Sequence, residues 1–159
     1  MTICRAELVE HAPHVKGTLR YCVWKLLPNG DIRLLDNVVE HNLVVNSGRQ
    51  HLAKLISGAS TSYINRIAAG PGSDPPQLTD YIEQMTSRGA LLFPIISSQV
   101  IDTSAVFKWE LTSDQANGML IREFALVNTE GLMITHQVRA SSIGKESDIV
   151  VKGEYSLTF

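Results

Sequence analysis

Cysteine is scarce, charge is balanced and no long apolar run exists, and each of these shortages removes a class of function. The two cysteines, Cys4 and Cys22, have neither the spacing of a zinc knuckle nor that of a redox pair. They read as buried or inert thiols, because nothing else in the sequence signals an oxidising compartment. Lys and Arg number 14 against 16 Asp and Glu and are spread along the chain, for a net charge of −2. That leaves no electrostatic footprint for a phosphate backbone or an anionic bilayer, so neither nucleic acid nor membrane is an expected partner. No stretch approaches the roughly 18 apolar residues of a membrane helix. The first residues carry Arg5, Glu7, Glu10, His11 and His14, unlike the apolar core of a secretory signal.

Catalytic signatures are missing as well. There is no Gly-x-Ser-x-Gly elbow. Gly70-Pro71-Gly72 has the look of a phosphate loop, but Pro75-Pro76 delays any helix behind it and no Gly-Lys-Ser or Gly-Lys-Thr follows, so it reads as a turn. His11 and His14 flank Pro13, which breaks the helix a metal pair would need. No cofactor and no metal site is expected, and no enzymatic activity.

What is present is alternation. At 159 residues the chain is the size of one domain with one core. Ala105, Phe107, Trp109 and Leu111 share one face of a strand, with Lys108 and Glu110 on the other. Ile149, Val151, Tyr155, Leu157 and Phe159 do the same at the end of the sequence. Residues 119–127 and 132–139, joined by Asn128-Thr129-Glu130-Gly131, form a hairpin signal, and residues 18–27 and 31–35 around Pro28-Asn29-Gly30 form another. Residues 38–45 are a further strand. Residues 91–101 are one more, with Pro94 demanding an edge or a bulge.

Helix is limited to two short pieces. Ser47 and Gln50 have capping-box spacing ahead of a stripe of Leu52, Leu55 and Ile56, and Gly58 ends the segment, giving a helix over about 48–57. A second runs from 79 or 80 to about 87, with Asp80 and Glu83 at the positive end of its dipole. The fold class is therefore mainly β, an antiparallel β-sandwich or incomplete barrel with one or two inserted helices and an N-terminal hairpin. It is treated as a single domain over 1–159, and whether the hairpin region, about 17–46, lies apart from the main sandwich stays open.

Two polar residues fall on apolar strand faces. Glu123 shares a side with Ile121, Ala125 and Val127, and Arg122 cannot be its partner because adjacent strand residues point oppositely. A buried carboxylate demands a partner, which reads as a structural ion pair or backbone hydrogen bonds. His136, in line with Leu132, Ile134 and Val138, reads as a hydrogen-bonded core or interface histidine.

The order of these pieces resembles small phage tail and baseplate-associated proteins, particularly tail-collar fibre or fibre-attachment proteins. The elements that carry the resemblance are His41-Asn42-Leu43-Val44-Val45-Asn46-Ser47-Gly48 running into a helix, a strand ending at Gly70 to Gly72 followed by Thr79-Asp80, Ile121-Arg122-Glu123-Phe124-Ala125-Leu126, the Glu130-Gly131 turn, and Lys145 ahead of the last strand. Ala125 stands where such proteins commonly have Gly. The resemblance covers about residue 17 onward and implies a compact, non-catalytic adaptor or fibre-attachment part of a virion, made in the bacterial cytoplasm, with other tail or baseplate proteins and copies of itself as partners. Asn46, Ser47, Gly48, Leu55, Glu123, His136 and the apolar face from Ile149 to Phe159 are its structural or interface candidates. Two alternatives stand beside it. One is a carbohydrate- or surface-binding β-sandwich using Trp24, Trp109, Tyr63 or Tyr81. The other is a small metal-dependent barrel enzyme drawing ligands from His41, His51, His136 and Glu123.

Overall fold

Alternating sequences with few helix formers build a sheet, and the computed structural model, which describes residues 14–159, is mainly β. The elements in chain order are β1 (Lys16–Leu26), β2 (Ile32–Val44), α1 (Asn46–Ile56), β3 (Ile64–Gly70), α2 (Ile82–Thr86), β4 (Leu91–Pro94), β5 (Ser97–Ile101), β6 (Ser104–Leu111), β7 (Met119–Asn128), β8 (Thr135–Lys145) and β9 (Ile149–Thr158). All strand pairs are antiparallel, in the order β4-β3-β7-β8-β2-β1-β9-β6-β5, and the sheet curls into a half-barrel. Of the two forms expected, the incomplete barrel is the one found.

The sheet has one short joint. β2 meets β8 at only Leu43↔His136 and Val44↔Thr135, and the wings on either side of it face each other across a shared interior. Side chains from both wings then share one core. Trp109 of β6 lies 5.2 Å from Phe124 of β7, and Tyr21 of β1 lies 5.5 Å from Phe124. These separations suit tilted aromatic packing. Tyr155 of β9 donates a 3.3 Å hydrogen bond to the Phe124 carbonyl across the same interior.

The apolar face of the last strand is thus covered by its own core. Ile149, Val151, Tyr155 and Leu157 are buried, and β9 lies between β1 and β6, so this strand is not a free edge. Phe159 alone of that set is exposed, at 48%. The N-terminal hairpin is part of the same sheet, with β1 zipped to β9 from Lys16↔Thr158 to Lys25↔Ile149.

Several expected boundaries shift. The segments 31–35 and 38–45 are one strand, β2, because a register change opposite Val23/Trp24 absorbs the break in pattern. The segment 91–101 divides instead of running through. Pro94 ends β4 at one extreme of the sheet and β5 begins at the other, with Ile95 bonded to Asn65 and Ile96 to Lys108, so the chain crosses between wings in two residues. Such a sheet switch makes a corner.

Helix α1 starts earlier than its apparent cap. Val45 is the N-cap residue without a side-chain cap bond, and Ser47 instead donates to the Met133 carbonyl at 2.6 Å. Its end is as expected, since Gly58 bonds to Leu55 and Ala59 to Lys54 in a Schellman arrangement. The buried face is Gly48, His51 and Leu52, with Leu55 at the core margin, while Ile56 is 82% exposed. Helix α2 is shorter than expected. Asp80 lies outside it, and the Gln84 side chain accepts from the Tyr81 N–H at its start.

β7 is covered on both faces. Phe124 and Leu126 enter the interior, whereas Ala125 and Val127 form a second apolar cluster with Ile82 and Met85 of α2. Ile121 belongs to the interior rather than to the side of Ala125, because the register of β7 against β8 changes between Ile121 and Glu123. Arg122 donates to the carbonyls of Arg139 and Ala140 and so stitches the excursion that β8 makes there.

Candidate functional site

The polar side chains that the fold brings together lie on the outer face of β7 and β8, beneath the loop between β3 and α2. Glu123 on β7 is fully buried and His136 on β8 is 3% exposed. Glu123 Oε2 is 3.0 Å from His136 Nε2, and the other ring nitrogen, Nδ1, is 2.7 Å from Asp80 Oδ2. Glu123 Oε1 accepts the Gly72 N–H at 2.9 Å, and Asp80 Oδ2 accepts the Gln77 N–H at 2.7 Å.

This geometry sets the protonation state. A neutral imidazole has one N–H, yet here a carboxylate faces each nitrogen, so the arrangement calls for the doubly protonated ring. Burial pulls the His136 pKa down, but the hydrogen bonds and charges of Glu123 and Asp80 outweigh it and raise the pKa above its ordinary value. In its doubly protonated form the ring has no lone pair for a metal or for deprotonating a nucleophile.

Gly72 is required by close approach. A Cβ on it would fall against the Glu123 carboxylate well inside van der Waals contact, so only glycine lets the loop lie flat on that oxygen. The turn 70–72 is therefore one half of a latch. Asn46 N–H adds a bond to the Leu78 carbonyl at 2.8 Å, which ties the same loop to the start of α1. What the arrangement does chemically is hold a loop of mostly small and proline residues onto the sheet.

The other expected residues separate. Gly48 is buried against the Ile134 backbone, which a side chain there would overlap. His51 Nδ1 is 3.3 Å from the Asn128 amide nitrogen. Asn128 Oδ1 accepts from Glu130 and Leu132 N–H, so its amide donates to His51. His41 is exposed on β2 opposite Thr18. The metal-ligand set His41, His51, His136 and Glu123 is thus not assembled beyond the Glu123–His136 pair, and among the described residues no group of three or more His, Cys, Asp or Glu is disposed to hold a metal. Cys22 is half-buried, with its thiol 3.7 Å from Asn37 Oδ1; Cys4 and His11 lie outside the described residues. No helix among those residues is long and apolar enough to cross a membrane.

Of the aromatic candidates, Trp109 is a core residue at 2% exposure, which removes it as a sugar platform. Trp24 is half-buried and lines an apolar cleft of about 350 Å³ with Leu26, Ile32 and Val150. Tyr63 and Tyr81 are exposed. Glu123 and His136 stand out in the sequence as polar residues on apolar strand faces, whereas Asp80, Gly72 and Asn128 carry no such mark of a shared site. Asp80 lies 56 positions from His136, and no local pattern reports such a pairing. Asn128, immediately before the Glu130-Gly131 turn, was legible as a turn-bonding side chain. Compared with family models, with curated proteins and with solved structures, the chain matches none.

Proposed function

We propose that this protein is a non-catalytic structural part of a bacteriophage or prophage-derived tail, an adaptor or fibre-attachment piece at the baseplate or collar. The observation that carries this reading is the distribution of apolar surface. Ile32, Leu34, Leu35 and Val39 are exposed on β2, and Ile96, Val100 and Ile101 on and beside β5, while the charged network of Glu123, His136 and Asp80 is covered by a loop as a latch. Apolar side chains clustered on strands suit contact with other proteins. The order of strand ends, helix and turns that resembles tail-collar and baseplate-associated proteins names the kind of partner. The test is light scattering on the purified chain mixed with products of the genes beside its own. Stable co-assembly with tail or baseplate proteins is expected, and a chain that joins none of them contradicts the proposal.

One observation favours a second reading, glycan binding. A polar cleft of about 390 Å³ is lined by Lys54, Ser60, Ser62 and Glu130, and the exposed ring of Tyr63 is next in the chain. Hydroxyl and carboxylate groups lining a cleft, with an exposed aromatic ring adjacent in sequence, are a sugar-binding combination. A glycan array with reproducible hits lost in Tyr63→Ala would favour it over the structural reading.

A further inference from the structure

The half-barrel has two ends, and they are protected differently. At one, β4 terminates in Pro94, which lacks the N–H that a new neighbour would need. At the other, β5 is exposed along its whole length, contains no charge and no proline, and is flanked by Ile96 at 64% exposure, with Val100 at 79% and Ile101 at 53% within it. Lysine, proline and inward charges are the usual guards of an edge. β5 carries none of them.

Its backbone polarity can be assigned. β5 and β6 are joined by the two residues Asp102 and Thr103, with Ile101 opposite Ser104. In a two-residue hairpin the flanking pair exchanges both backbone hydrogen bonds, and bonded and non-bonded pairs alternate from there. Ile101, Gln99 and Ser97 therefore turn their N–H and C=O groups towards β6. Ser98 and Val100 turn theirs outward.

From this we infer that β5 is a self-pairing edge, at which a second copy of this chain adds its own β5 antiparallel about a two-fold axis through Gln99. That register sets Ser98 against Val100 of the second copy and Val100 against Ser98, each pair exchanging both backbone bonds, with the two Gln99 side chains adjacent at the axis. Of the two-fold registers that bring outward-facing groups together, it is the one that pairs both Ser98 and Val100 within the strand, without drawing on Ile96 or the turn residue Asp102. No like charges are brought together, because the strand has none, and Asp102 is set beside Ile96 of the second copy and away from its own counterpart. The isologous contact closes on itself, and Ile96, Val100 and Ile101 lose water on both sides of it. The inference rests on the assembly reading above and specifies the surface and the first partner.

The register makes the test specific, since position 99 faces itself. Analytical ultracentrifugation over a concentration series is run on the wild type, on Gln99→Lys, on Gln99→Glu, and on an equimolar mixture of the two variants. Gln99 is exposed, and circular dichroism checks that each variant keeps the wild-type fold. The wild type is expected to dimerise, each variant alone to associate about tenfold or more weakly through like-charge opposition, and the mixture to recover association. A monomeric wild type, variants that dimerise as the wild type does, or a mixture that stays monomeric overturns the inference. A monomeric wild type that still joins tail proteins overturns this inference alone, and a β5 dimer that joins none overturns the functional proposal alone.

Discussion

His136 Nε2 sits 3.0 Å from Glu123 Oε2 while its Nδ1 sits 2.7 Å from Asp80 Oδ2, so one imidazole bridges β7 to a loop that leaves the sheet at Gly70. Removing the bridge leaves two carboxylates facing each other across a closed space. His136→Ala should destabilise the fold by about 3–5 kcal/mol, as for loss of one partner from a buried ion pair. Chemical denaturation at pH 6 is the measurement, and a change of under about 0.5 kcal/mol, the range of surface substitutions, contradicts the buried bridge.

The same contact predicts a pH dependence. The His136 pKa is raised in the fold above the ordinary histidine value of about 6.5, so the folded state holds a proton that the unfolded chain releases at lower pH. Its contribution is fully present below about pH 6.5 and is lost as pH rises through the folded pKa. Unfolding free energy should fall with rising pH in that window, and the slope should flatten in His136→Gln. Equal slopes in the two proteins contradict the assignment.

Gly72→Ala drives a methyl group onto the Glu123 carboxylate and should cost about 1–3 kcal/mol, the usual range for overpacking. The cost should shrink in Gly72→Ala/Glu123→Ala, where the opposing carboxylate is gone. A double-mutant cycle that shows simple additivity contradicts the contact.

Along α1, the ordering of three substitutions tests which face is buried. Leu52→Ala should cost about 2–5 kcal/mol, Leu55→Ala less because it lies at the core margin, and Ile56→Ala within about 0.5 kcal/mol because that side chain is 82% exposed. A large loss at Ile56 contradicts the helix orientation.

How much of this was legible depended on range. Alternation located β6 and β9 because their inward residues repeat every second position, and Gly58 marked the end of α1 because a Schellman turn is local chemistry. The demand that buried Glu123 have a partner was legible from burial alone. Its identity was not, since His136 reaches it through strand pairing, and Asp80 reaches His136 through loop packing, that no short window encodes. The apparent stripe Leu52, Leu55, Ile56 misled at Ile56 because Gly48 and His51, a glycine and a polar residue, face the sheet instead. The apolar run over 91–101 read as one strand because periodicity does not report that a chain crosses from one wing to the other at Pro94.

The claim most open to test is that this chain is a tail part. Mass spectrometry and antibody-labelled electron microscopy of particles purified from a strain carrying the gene would test it most directly. A tail part is expected in intact particles and labelled at one end of the tail; complete, infective tails that contain none of it contradict the proposal.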